Sequence, residues 1–179
     1  FKQNDPKIKK LLEEVKDREF IGYSYDGADA SFELLARRIM GEIPRYISIK
    51  EYDVSVKKDS SGKIISSAKA QLEVDKKLIL CEGEGNGPVH ALDNAIRKNV
   101  DKLAKYSHYL KDLKLVDYKV RILNTGTEAV TRVSIESTDS KGKNWFTIGV
   151  SANIIDASFK ALVDSLDYKL FKDKAPASL

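Results

Sequence analysis

Twice in this chain three segments of alternating hydrophobicity are followed by one helical stripe, and that repeated order limits the fold more than any single motif does. In the first pass Ile47 and Ile49 alternate, then Tyr52, Val54 and Val56 alternate one register later, which predicts a β-bulge near Lys50-Glu51. A turn at Ser60-Ser61-Gly62-Lys63 leads into a half-buried strand through Ala68, Ala70, Leu72 and Val74, and a more apolar strand runs from Lys76 to Cys81. The loop Glu82-Gly83-Glu84-Gly85-Asn86-Gly87-Pro88 then opens one helical face of Val89, Leu92, Ile96, Val100 and Leu103. In the second pass Val116, Tyr118, Val120 and Ile122 alternate, then Val133 and Ile135 after a Thr125-Gly126 turn, then Phe146, Ile148 and Val150 after Lys141-Gly142-Lys143. Ile155, Phe159, Leu162 and Leu166 stripe the closing helix. Gly83 and Gly149, Ala91 and Ala157, and Ala95 and Ala161 are each 66 residues apart, as an internal duplication leaves them.

Two βββα units predict an α+β fold, a six-stranded antiparallel sheet system with both helices on one face. The opposite face carries much Lys, Ser, Thr and Glu and needs partial cover, which a partner subunit supplies economically, so a homodimer is expected. Ahead of the repeats Ile8, Leu11, Leu12 and Val15 mark a helix over 5–17 with Pro6 in its first turn. A second helix is expected from Asp29 to Met40, with Phe32, Leu35 and Ile39 on one stripe and Gly41 and Pro44 ending it. Two such helices bury too little to stand alone and must dock on something. The expected organisation is a helical linker at 1–44, a domain at 45–172 and a tail at 173–179.

A chain of 179 residues with 42% hydrophobic and 32% charged residues is globular rather than disordered. No apolar run reaches the ~18–20 residues of a membrane span, and Phe1-Lys2-Gln3-Asn4 has no signal-peptide character, so a cytoplasmic protein with no membrane partner is expected. Cys81 is the single cysteine, and His90 and His108 are the two histidines, which excludes an intrachain disulfide and a cysteine cage for zinc. With Phe at position 1 and the one methionine at Met40, the chain reads as a piece of a longer protein. Thirty-one basic residues against 27 acidic ones give +4, but they are interleaved as on a solvated surface, which argues against nucleic acid. A basic αβ module that binds RNA is the alternative from another functional class.

Gly85-Asn86-Gly87-Pro88 opens a helix directly after an apolar strand, and the free N–H groups of a first turn attract an anion. A phosphate loop is excluded because no Gly-Lys-Ser/Thr follows, and the loop's two glutamates repel a triphosphate; a carboxylate is the better guest. Three glycines in five residues cost backbone entropy, so something needs that backbone bare. Gly149-Val150-Ser151-Ala152-Asn153 repeats the geometry, with Ser151 or Asn153 as cap and Asp156 placed as in a capping box. Cys81 reads as a buried small hydrophobe and His108 as a helix-end residue, so no catalytic centre and no cofactor are expected in this chain.

The segments Gly22-Tyr23-Ser24-Tyr25-Asp26-Gly27-Ala28-Asp29-Ala30-Ser31-Phe32-Glu33-Leu34-Leu35, Gly85-Asn86-Gly87-Pro88-Val89-His90-Ala91, Gly126-Thr127-Glu128-Ala129 with Thr131-Arg132-Val133, and Trp145 through Phe159 resemble the C-terminal part of the 2-isopropylmalate and citramalate synthases. The first of these, with Ala161 through Leu170, is closer to the citramalate branch. The resemblance implies a parent enzyme whose N-terminal metal-dependent (β/α)8 barrel, absent here, condenses acetyl-CoA with a 2-oxo acid. It implies that 45–172 is an allosteric dimer domain binding a branched-chain amino acid for feedback inhibition, isoleucine in the citramalate branch and leucine in the other. It places the effector at Gly85, Asn86, Gly87, Val89 and His90 and at Ala152, Asn153 and Ile154, and it brings Tyr23 and Tyr25 toward the barrel's active site. The sequence departs from the family at His90, where a small acidic residue is common.

Overall fold

The computed structural model describes residues 5–125 and 128–179, and the chain divides into two compact units. The expected Thr125-Gly126 turn, the Gly126-Thr127 pair and Phe1-Lys2-Gln3-Asn4 lie outside the described residues. Among the described residues six strands form two antiparallel three-stranded sheets in simple meander order.

One unit holds residues 44–112 with 169–179. Strands β1 (Ser48–Lys58), β2 (Ile64–Val74) and β3 (Lys77–Gly85) form its sheet, and α3 (Pro88–Arg97) packs on one face. The register shifts between Ile49 and Glu51, the bulge that the change of alternation predicts. Ala68, Ala70, Leu72, Val74 and Cys81 meet Ala91, Leu92, Ala95 and Ile96 in a buried core, and burial pushes the Cys81 thiol upward. The helical stripe expected to run to Leu103 breaks at Asn99, whose side-chain amide donates to Ala95 O at 2.7 Å and Glu82 O at 2.9 Å. Short 3-10 turns at Val100–Lys102 and Ala104–Tyr106 and a helix α4 (Ser107–Leu110) follow, yet Val100 and Leu103 stay buried. The tail is tied down in this unit: the Tyr106 hydroxyl donates to Pro176 O and Lys105 Nζ to Ala177 O and to Asp75.

The other unit holds residues up to 43 with 113–168. Its sheet is β4 (Lys114–Thr125), β5 (Glu128–Thr138) and β6 (Asn144–Ser151), and helix α5 (Ile154–Lys172) begins here. The bulge recurs between Leu115 and Asp117, 66 residues after the first, so the duplication is visible in backbone irregularity as well as in order. The same turn chemistry serves different hairpins. Asp59 accepts from the Ser61 and Lys63 N–H groups between β1 and β2, whereas Asp139 accepts from those of Lys141 and Lys143 between β5 and β6.

The duplicated glycines and alanines mark one contact made twice. A Cβ on Gly83 runs into the Ala95 backbone, and one on Gly149 runs into Ala157 O and the Ala161 N–H. Each helix therefore lies on its strand at backbone distance, with all four of Ala91, Ala95, Ala157 and Ala161 fully buried. A buried bond from Thr147 Oγ1 to Ala161 O, 2.8 Å, fastens the second of these contacts.

The helices ahead of the repeats are α1 (Pro6–Phe20), capped by the Asp5 carboxylate at 2.9 Å, and α2 (Asp29–Met40), closed by left-handed Gly41. α1 buries no residue fully; with α2 it borders a groove of about 540 Å3 whose lining includes Ile8, Leu11, Phe32 and Met40. α2 is the one that docks. Ala30, Leu34 and Leu35 are buried, and Ser31 Oγ accepts from Ile148 N at 2.9 Å on edge strand β6 while donating to Asp164 of α5 at 2.9 Å. Arg38, seven residues on and so on the same helix face, donates to Asp164 at 2.9 Å and to Asp167 at 2.8 Å. Part of the cover expected from a partner thus comes from the chain's own second helix.

Burial pushes the Asp167 carboxyl up to about 6 against the pull of Arg38, with Asp164 adding to the rise. Its folded value lies above the ordinary 3.8, so the fold keeps a proton that the unfolded chain releases, and stability falls as pH rises through that window. Asp167→Asn is expected to match the parent protein below about pH 4 and to exceed it at pH 7 by about 1–3 kcal/mol. Urea midpoints at the two pH values check this, and an equal difference at both removes Asp167 as the titrating group.

Candidate functional site

The two strand-to-helix loops are built differently. β3 continues through Gly83 and Gly85, so the expected loop from Glu82 shortens to Asn86-Gly87. Gly83 and Gly85 are bare because α3 lies on them; a Cβ on Gly85 sits 2.7 Å from Ala91 N. Helix packing therefore accounts for two of the three glycines. Gly87 is extended at φ −151° and ψ 168°, and a Cβ there meets nothing within 4 Å. It is the N-cap of α3 with no side-chain cap, and Pro88 follows at the first helical position. The first turn therefore presents its N–H groups, those of Val89 and His90, without a side-chain acceptor at the cap.

The His90 ring lies back across this loop. Its Nδ1 accepts from the Asn86 N–H at 3.3 Å, and its Nε2 is 3.1 Å from Asn94 Nδ2, which also donates to Glu84 O at 2.7 Å. A neutral imidazole accepts on one nitrogen alone, so the ring serves either Asn86 or Asn94 at a time. Asn94, one turn beyond His90, is a support that the sequence reading missed; its signal is the i,i+4 spacing of two polar side chains at the start of a helix.

The second loop satisfies its own helix. Asn153 Oδ1 accepts from Ile155 N at 2.8 Å and Asp156 N at 3.2 Å, and Ser151 Oγ accepts from Asn153 N at 3.2 Å. Asn153 is thus the cap, and Asp156 pairs with Lys160 at 2.9 Å. Ala152, Asn153 and Ile154 are exposed. Gly85, Asn86, Gly87, Val89 and His90 belong to the unit of the first sheet, and Ala152, Asn153 and Ile154 to that of the second.

Tyr23 and Tyr25 stack at 5.9 Å between the first two helices, with the Arg18 guanidinium 5.3 Å from the Tyr23 ring centre. Burial pushes the Tyr25 hydroxyl up to about 12 despite Arg18 beside it, so it stays protonated near neutral pH. His108 packs on the Tyr109 ring at 3.9 Å. Among the described residues no group of three or more His, Cys, Asp or Glu side chains is arranged to hold a metal ion, and no helix is long and apolar enough to cross a membrane.

Residues 26–170 match the family model of the LeuA allosteric (dimerisation) domain. The chain is 44% identical over 173 residues to an (R)-citramalate synthase of Geobacter sulfurreducens, covering 95% of this chain and 32% of that protein. It is 44% identical over 172 residues to the (R)-citramalate synthase of Aquifex aeolicus, covering 94% and 32%. Against a 2-isopropylmalate synthase of Clostridium acetobutylicum the identity is 34% over 127 residues, covering 69% and 21%. The chain spans about a third of the length of the citramalate synthases it matches.

Proposed function

The chain belongs to the LeuA allosteric (dimerisation) domain family, and from that premise we propose that it is the regulatory part of a citramalate synthase type enzyme, feedback-inhibited by a branched-chain amino acid, with isoleucine preferred. The observation that carries the reading is the α3 N-terminus at Gly87-Pro88, which lacks a side-chain cap while its duplicated counterpart is capped by Asn153. The first-turn N–H groups of α3 suit the effector's carboxylate, and the polar atoms of Asn86 in the same loop suit its ammonium. Val89 supplies apolar surface for the branched side chain at the first loop, and in the other unit Ala152 and Ile154 offer such surface at the second loop. With His90 turned back onto Asn86 or Asn94, the ammonium is left to amide and backbone oxygens rather than to a carboxylate at that position.

In this reading residues 1–44 are the linker and 45–172 the regulatory domain of a homodimer, cytoplasmic, and joined to a catalytic barrel elsewhere in the parent enzyme. The barrel condenses acetyl-CoA with a 2-oxo acid; the described residues offer no ligand set for the divalent metal that this chemistry uses, and no step is assigned to them. An isologous interface of about 1,200–2,000 Å2 is expected, and a monomer in sedimentation at high concentration overturns the dimer.

Calorimetric titration with isoleucine and leucine tests the effector. Isoleucine is expected to bind roughly ten- to hundredfold more tightly, the most that shape discrimination between isomers supplies. Tighter leucine binding transfers the chain to the 2-isopropylmalate branch, and tight, salt-steep RNA binding with no amino-acid binding replaces the reading altogether. Gly87→Asp is expected to keep its melting temperature, because its Cβ meets nothing, and to lose at least tenfold in effector affinity through carboxylate repulsion. Unchanged affinity in that variant removes the loop from the site.

A further inference from the structure

α2 grips both elements that flank the second effector loop. Through Ser31 it holds Ile148 N on β6, three residues before Ser151, and the same hydroxyl donates to Asp164 in α5. Arg38 spreads its two terminal nitrogens over Asp164 and Asp167, which lie within one turn of α5. Ser31 is buried, and the two carboxylates are mostly so, with side chains 18% and 16% exposed. An arginine fork set on two separate carboxylates has a narrow geometry, so a small shift of α5 against β6 releases one of the two contacts. Ala152, Asn153 and Ile154 lie where β6 ends and α5 starts, so a ligand bound there would bear on both elements that the clasp holds.

Resting on the effector reading above, we infer that the Ser31–Arg38–Asp164–Asp167 clasp transmits effector occupancy to the linker, and that Arg38 is its coupling residue. Arg38 faces Asp164 and Asp167 from α5, and Ser31 of its own helix shares Asp164 with it. A second two-residue contact works the same seam: Glu33 lies beside the Tyr168 hydroxyl, raising it to about 12 together with burial, the larger cause. Coupling needs two arrangements of one element biased by a ligand, and a fork with two carboxylates to hold or drop provides them.

Hydrogen exchange on this chain, with and without isoleucine, tests the inference. In the unmodified chain isoleucine is expected to change exchange at least threefold both at 151–156 and across the amides of α2. In Arg38→Met the change at 151–156 persists and that in α2 disappears, while the isoleucine Kd stays within about threefold. Retention of the α2 response in Arg38→Met overturns the inference and leaves the effector reading intact. No isoleucine effect anywhere in the unmodified chain overturns both. Should Arg38→Met fold poorly, Arg38→Lys keeps the charge but reaches one carboxylate at a time, and is expected to lose the α2 response as well; a full response there also overturns the inference.

Discussion

Replacing Gly149 by alanine is expected to cost about 3 kcal/mol or more, or to leave the chain unfolded at room temperature. The added methyl points at Ala157 O and the Ala161 N–H, backbone atoms of α5 that no rotamer change moves aside. The helix must lift from β6, and lifting it opens the bond from Thr147 to Ala161 O and the packing of Val133, Ile135 and Leu162. Gly83→Ala is the internal replicate, since its methyl meets the Ala95 backbone in the same way. Gly87→Ala is the control, with open space around the new atom, and is expected to stay within about 0.5 kcal/mol of the parent protein. Denaturant midpoints of the three variants decide the matter. A loss below about 1 kcal/mol at both Gly83 and Gly149 means that helix and strand do not touch at backbone distance.

The second large effect belongs to Lys169. Its side chain is 2% exposed, in the last turns of α5, with Nζ 2.7 Å from Asp173 and 3.3 Å from Asp112. Removing the cation takes away a buried charge that the mostly buried Asp173 faces directly, so Lys169→Ala is expected to lose about 3–5 kcal/mol. For a chain of this size that lowers the melting temperature by roughly 6–20 °C. Lys169→Met with Asp173→Asn keeps the volume and relieves part of the uncompensated charge, and is expected to recover a substantial share of the loss. If the double variant is no more stable than Lys169→Ala, lost packing rather than stranded charge sets the cost.

These two sites differ in how far sequence alone reaches them. Gly83 and Gly149 stand out through their spacing, and the reading of a bare backbone at the first loop is right in kind. Its cause is different: helix packing needs Gly83 and Gly85, and of the three Gly87 alone has open space around it. Periodicity cannot separate these cases, because a glycine under a helix and a glycine beside a ligand look the same in one dimension. Lys169 gave no signal at all. A charged residue in an amphipathic helix reads as solvated, and its burial depends on Asp112, 57 positions away in the sequence. Arg38 is similar, for its partners Asp164 and Asp167 lie on another helix far along the chain.

The sequence by itself determined the repeated order of three strands and a main helix, the bulge at Ile49–Glu51, the turn at Ser60–Lys63, the limits of the second helix and the duplication, because each follows from side-chain period, backbone preference or capping within a few residues. Its motifs also carried the family resemblance, which the match over residues 26–170 supports. Tertiary structure decided where α2 docks, why two of the loop glycines are bare, and that a lysine is buried. Those outcomes depend on pairings between residues distant in sequence, and no local pattern encodes the free energy of a contact whose other half lies elsewhere in the chain.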